Sequence, residues 1–80
     1  MPPNIHDDRY RILREHLLAL RLKAGLTQAE LAQKLGADQS HLSKIERGER
    51  YVDTLLFLDW CRACGNDPLK AMRRLIDGGA

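Results

Sequence analysis

The chain has 80 residues, which bounds it to one small domain. Its 13 basic and 11 acidic residues leave a formal charge of +2, too mild to argue nucleic-acid binding from bulk electrostatics. The 2 cysteines are too few for a disulfide scaffold, and no apolar run approaches the roughly 20 residues of a membrane span, so a reduced, cytoplasmic protein without membrane contact is expected.

Met1 to His6 carries two prolines and is expected to be a loose arm. It holds no Lys or Arg, which argues against its wrapping DNA. Asp7 or Asp8 then caps a first helix running to about Ala24, with Gly25 as its stop. Tyr10, Leu13, Leu17, Leu20 or Arg21, and Ala24 form its inward stripe. Leu18 and Leu22 lie off that stripe, one turn apart. They read either as ordinary surface leucines or as a subunit contact. His16 reads as a structural histidine rather than a ligand.

Thr27 to Gly48 (TQAELAQKLGADQSHLSKIERG) reads as two short helices joined by a tight turn. Thr27-Gln28-Ala29-Glu30 is a capping box, in which the hydroxyl and the carboxylate satisfy each other's backbone N–H. Leu31, Ala32 and Leu35 lie at helical spacing and are expected inside. Gly36 suits a left-handed helix end, and Asp38 is the next N-cap candidate. The link between the helices is therefore short enough to force a sharp crossing, which the small Ala32 permits. On the second helix, Leu42, Ile45 and Glu46 share one side. Gln39, Ser40, Ser43, Lys44 and Arg47 share the other, with His41 on the flank. Amides, hydroxyls and cations are the groups that bond base edges and phosphates. Gly48 ends this helix, and Arg50 follows within reach of a phosphate.

Asp53 can cap a fourth helix ending near Cys64, with Gly65 as its stop. Leu55, Leu56 and Leu58 exceed what one inward face needs. Asp67 caps a last helix with Pro68 at its first position. Leu69, Met72, Leu75 and Ile76 give it an apolar side, and Lys70, Arg73 and Arg74 a basic one. Gly78 to Ala80 is expected to fray. The domain proper is thus residues 7–77, all-α, with five helices.

The stretch resembles the XRE/Cro-type (lambda-repressor-like) helix-turn-helix family. The matching residues are Leu26-Thr27-Gln28, Leu31-Ala32, Gly36, Leu42-Ser43, Ile45-Glu46 and Gly48, and the resemblance covers roughly Leu17 to Gly65. It implies that Gln39 and Ser40 touch base edges in the major groove, with Lys44 and the flanking His41 beside them. It implies that Thr27 and Gln28 meet the sugar-phosphate backbone, helped by the positive end of the helix dipole. Ser43, Arg47 and Arg50 are the other phosphate candidates. Arg21 and Glu46 match a family pair that ties the first helix to the recognition helix. The family register also puts Phe57, Trp60, Cys61 and Cys64 inward. His41 stands where a small residue is common, and Asp38 brings a negative charge near DNA that capping would absorb.

The expected function is a sequence-specific duplex-DNA-binding transcription regulator, a repressor acting as a homodimer on a palindromic operator. Its candidate interface is the last helix (Leu69, Met72) with Leu55 and Leu58, and Leu18 and Leu22 second. An antitoxin that also binds a protein partner, and a restriction-modification controller, are alternatives. Trp60-Cys61-Arg62-Ala63-Cys64 imitates a thiol oxidoreductase motif, but it falls at a helix C-terminus, where the dipole disfavours a thiolate. Cys61 and Cys64 lack two further ligands at metal-site spacing, no catalytic set is visible, and no cofactor or small-molecule effector is expected.

Overall fold

The structure, a computed structural model, describes residues 4–80. Five helices follow in order: α1 (Asp8–Lys23), α2 (Gln28–Leu35), α3 (Gln39–Glu46), α4 (Thr54–Ala63) and α5 (Pro68–Asp77). The described residues contain no strand. Part of the expected N-terminal arm, residues 1–3, lies outside the described residues; Asn4 to Asp7 closes a turn through the Asp7 N–H and the Asn4 carbonyl, 2.8 Å apart.

Side chains chosen for capping begin four of these helices. Asp7 accepts from the Arg9 N–H, Thr27 from Glu30, Asp53 from Leu56 and Asp67 from Leu69. The capping box at Thr27 is complete in both directions. Its Thr27 backbone N–H holds the Glu30 carboxyl below the usual carboxylate range. Asp38 departs from expectation. It occupies the N-cap of α3 with extended backbone, but its carboxylate makes no cap hydrogen bond. The Asp38 carbonyl accepts from the His41 and Leu42 N–H groups instead, at 3.1 and 3.3 Å. The amide a capping side chain would have taken is thus already engaged.

The core is built around Trp60, which is fully buried and donates its indole N–H to the Leu17 carbonyl at 3.0 Å. Leu17, Leu20, Leu31, Ala32, Leu42, Ile45, Phe57 and Cys61 close around it. Helix α1 packs on α3, α4 and α5, while α2 packs on α3 and α4. Leu13 and Leu35 are only half-buried, at the margin of the core. Ala24, expected inside, is exposed. It is the C-cap of α1, where the chain already turns toward the left-handed Gly25, so it lies past the last inward position.

Helix α5 divides its apolar residues. Ala71 and Leu75 enter the core, whereas Leu69, Met72 and Ile76 are 80%, 38% and 62% exposed. The apolar side read from the sequence is therefore two adjacent faces, and one is left uncovered. Residues Gly78 to Ala80, expected to fray, fold back: the Ala80 N–H donates to the Leu75 carbonyl at 3.1 Å and Arg9 donates to the Ala80 carbonyl at 3.3 Å.

Cys61 and Cys64 are buried free thiols at the end of α4. Burial pushes both upward in pKa, and for Cys61 the neighbouring Cys64 adds to it. Both side chains lie within the core cluster and pack there. Replacing Trp60 with Ala is expected to cost about 3–5 kcal/mol of stability. Urea unfolding checks this; an unchanged midpoint would show that Trp60 is not the centre of the core.

Candidate DNA-binding surface

The site is the pair α2 and α3 with the loop that follows. Gly36 (φ 65°) takes the left-handed conformation after α2, and the Ala37 N–H reaches back to the Ala32 carbonyl at 2.9 Å. Ala32 is 3% exposed within the core where α2 packs on α3 and α4, so a larger side chain there would have to displace its neighbours. From α3, Leu42 and Ile45 insert with no exposure. Apart from Glu46, the remaining residues of α3 face away from the core. Gln39, Ser40, Arg47 and Arg50 are exposed, and His41, Ser43 and Lys44 are half-buried along the same side.

The orientation of α3 is set at its C-terminal end by the Glu46 carboxylate. Arg21 donates from Nε to Oε2 at 2.8 Å and from Nη2 to Oε1 at 3.0 Å, a two-pronged pair with side chains 11% and 5% exposed. Arg21 also donates to the Leu26 carbonyl at 2.9 Å. The Gln28 amide donates to Glu46 Oε1 at 2.8 Å. One carboxylate therefore joins α1, the start of α2 and the end of α3. The Arg21 and Glu46 pairing implied by the family resemblance is present. The part played by Gln28 had no sequence signal, because residues 28 and 46 belong to different helices.

Two further contacts hold the far end of the surface, and neither was legible in the sequence. The Tyr10 hydroxyl accepts from the Val52 N–H at 2.6 Å, and its ring meets Tyr51 edge to face at 5.0 Å. Burial raises the Tyr10 pKa. Gly48 (φ 77°) lies under the Arg14 guanidinium so closely that a Cβ would fall 3.0 Å from Nη1. That Nη1 is buried without a hydrogen-bond partner. It sits at the negative end of the α3 dipole, which favours a cation there.

The predicted phosphate residues differ in how free they are. The Thr27 N–H donates to the Glu30 carboxylate at 2.9 Å and its hydroxyl oxygen accepts from the Glu30 N–H at 3.1 Å, which leaves the hydroxyl proton to donate to a phosphate. One N–H of the Gln28 side-chain amide is spent on Glu46, which leaves its second N–H and the Gln28 backbone N–H for a phosphate. That backbone amide and the one of Ala29 belong to the first turn, where no helical carbonyl precedes them. Arg47 donates to the Ser43 hydroxyl at 2.8 Å and is also paired with Glu49. Among the described residues no group of three or more His, Cys, Asp or Glu side chains could hold a metal ion.

A short helix with an outward row of amide, hydroxyl and cationic groups, braced across a preceding helix at a glycine turn, defines a helix-turn-helix DNA-binding domain. The helix-turn-helix family model matches residues 17–70. The chain is similar to an XRE-family like protein from Pseudomonas syringae pv. tomato str. DC3000, with 43% identity and a TM-score of 0.84 over 95% of this chain and 93% of that one. It is also similar to the restriction-modification controller protein C.AhdI from Aeromonas hydrophila, with 31% identity and a TM-score of 0.69 over 80% and 96%. A third likeness is to the clp gene regulator ClgR from Corynebacterium glutamicum, at 26% identity and a TM-score of 0.76 over 88% and 74%. No curated protein matches. The chain belongs to the XRE-type helix-turn-helix family of DNA-binding transcriptional regulators.

Removing the Glu46 carboxylate strands Arg21 in a nearly dry site. Glu46→Ala is expected to destabilise the fold by about 3–5 kcal/mol. A melting curve that coincides with wild type would reject this role for the pair.

Proposed function

We propose that the protein is a sequence-specific repressor that binds a two-fold symmetric operator as a homodimer. The observation that carries this reading is the outward face of α3, which the protein's own chain leaves open while Leu42, Ile45 and Glu46 hold the opposite side. Gln39, Ser40, Lys44 and His41 meet base edges in the major groove. Thr27 and Gln28 at the start of α2, and Ser43, Arg47 and Arg50 along and after α3, meet phosphates. Occupation of a promoter by such a dimer blocks transcription without any catalytic step, cofactor or effector.

Dimerisation is favoured by the small contact area of one module, about 600–1,000 Å². The uncovered face of α5 supplies the surface. Leu69, Met72 and Ile76 lie on one side of that helix, bordered at helical spacing by Arg73, with Asp77 and Lys70 beyond it. Two such helices packed antiparallel about a two-fold axis bring Ile76 of one copy over Leu69 of the other. Leu55 (72% exposed) and Leu22 (60%) are further apolar groups available to a neighbour. Leu58 is half-buried against the core and Leu18 is half-buried, so both have less surface to offer. Helix α5 packs on α4 and α1, and α3 packs on α2 and α1, so pairing through α5 does not require the reading helix.

A restriction-modification controller is the second reading, favoured by the 31% identity to C.AhdI. The genes beside this one decide between a general repressor and a controller. An antitoxin-like role would instead place an unlike protein on α5, and a copurifying small protein would favour it.

Three measurements test the reading. Operator selection from random duplexes is expected to return a symmetric site with half-sites about 34 Å apart or a multiple of it. On that site Gln39→Ala should cost about 1–3 kcal/mol and little on random DNA, because a base contact is lost. Arg47→Ala should weaken binding to the selected site and flatten its salt dependence by about one unit. Equal losses on both DNAs for Gln39→Ala would contradict the assignment of α3. In sedimentation, the wild type is expected to be a dimer at micromolar concentration and Leu69→Glu a monomer. A wild-type monomer with and without operator would remove the dimer from the proposal.

A further inference from the structure

The end of the α3 face carries a group that its function does not call for. Glu49 is a carboxylate at the foot of a surface meant to approach phosphates. Its position is not accidental to the fold. Gly48 turns the chain back through its left-handed backbone, and the Glu49 N–H donates to the Lys44 carbonyl at 2.8 Å. Glu49 is thereby fixed against the last turn of α3. Its carboxylate pairs with the Arg47 Nε, while Arg47 Nη1 donates to the Ser43 hydroxyl. The guanidinium is thus engaged on two sides before any DNA arrives. The same carboxylate lines a shallow hollow with His41, Lys44, Arg50 and Tyr51, so it stands among the cations assigned to DNA.

We infer that Glu49 is a specificity-determining residue, an internal stand-in for a phosphate that keeps Arg47 from engaging duplex DNA until the protein sits in the correct register. This inference rests on the DNA-binding reading above and on Arg47 as a phosphate contact. Arg47 and Glu49 are about half exposed, with side chains at 57% and 54%, so their pairing is weak and can be displaced. A phosphate held at the right distance by base contacts from Gln39 and Ser40 displaces it. A phosphate of a random duplex, loosely placed and competing with solvent ions, does not. Arg47 then contributes to counterion release on the operator and not on other DNA. The pair therefore widens the gap between specific and non-specific affinity without adding a base contact.

The test uses the intact chain, the selected operator and a random duplex of equal length, with affinity measured against salt. Glu49→Gln is expected to tighten random-duplex binding by roughly three- to ten-fold and to steepen its salt slope by about 0.9, the value for one added phosphate. The operator slope should stay as in wild type, so the specificity ratio falls. In an Arg47→Ala background, Glu49→Gln should lose its effect on random DNA. Glu15→Gln, the same charge change on α1, should not reproduce it. Parallel rises in both slopes, or an equal effect from Glu15→Gln, would reduce Glu49 to bulk repulsion and overturn the inference. Unchanged random-duplex binding would also overturn it. A wild-type protein that selects no duplex would instead overturn the DNA-binding reading beneath it.

Discussion

The aim of an eight-residue helix depends on one carboxylate. Leu42 and Ile45 can hold α3 against the core, but two aliphatic anchors leave it free to roll and tilt. Glu46 removes that freedom because its donors come from two other elements, Arg21 on α1 and Gln28 on α2. Directional hydrogen bonds to a group with little water around it define an angle in a way that apolar contact does not. Burying the ion pair costs desolvation, which two-pronged geometry and the Gln28 amide offset. What is obtained is orientation more than stability, and every assignment made to the outer face of α3 follows from it.

Helix α1 is the beam from which this orientation is measured. Arg21 holds the end of α3, Arg14 lies over Gly48 just beyond it, and Tyr10 accepts from Val52 after the loop. Spaced along one helix, these residues fix the chain from Glu46 to Val52, a segment with no regular structure of its own after Arg47. Leu17 joins the same helix to Trp60 through the indole hydrogen bond. A chain this short buries only about 60% of the surface it exposes when unfolded. Polar contacts at the ends of elements therefore supply positional accuracy that a larger core would give by packing alone.

The charge distribution suits a reader of sequence more than a general binder of DNA. A formal charge of +2 supplies little long-range attraction, and carboxylates stand at both ends of the reading helix, Asp38 before it and Glu49 after it. Discrimination is a difference between affinities, and weak attraction for the wrong DNA widens that difference as effectively as new contacts with the right one. Mild basicity is thus compatible with the family, because placement of groups carries the binding.

Local chemistry explains what was legible in advance. The capping residues Thr27, Asp53 and Asp67, the turn at Gly36 and the 3.6-residue spacing of Leu42 and Ile45 act within a few residues of chain, so they can be read from the sequence and they fixed five helices and the outward face of α3. Contacts between distant residues could not be read the same way. Arg21 with Glu46 was visible only through family resemblance, and Gln28 with Glu46, Arg14 with Gly48, and Tyr10 with Val52 were not visible at all. Arg47 with Glu49 is close in sequence but lies past the helix end, where no periodicity sets side-chain direction. The same limit divided the apolar residues of α5: spacing marks a side as apolar, but only the packing of α1 and α4 decides that Ala71 and Leu75 are covered while Leu69, Met72 and Ile76 stay exposed.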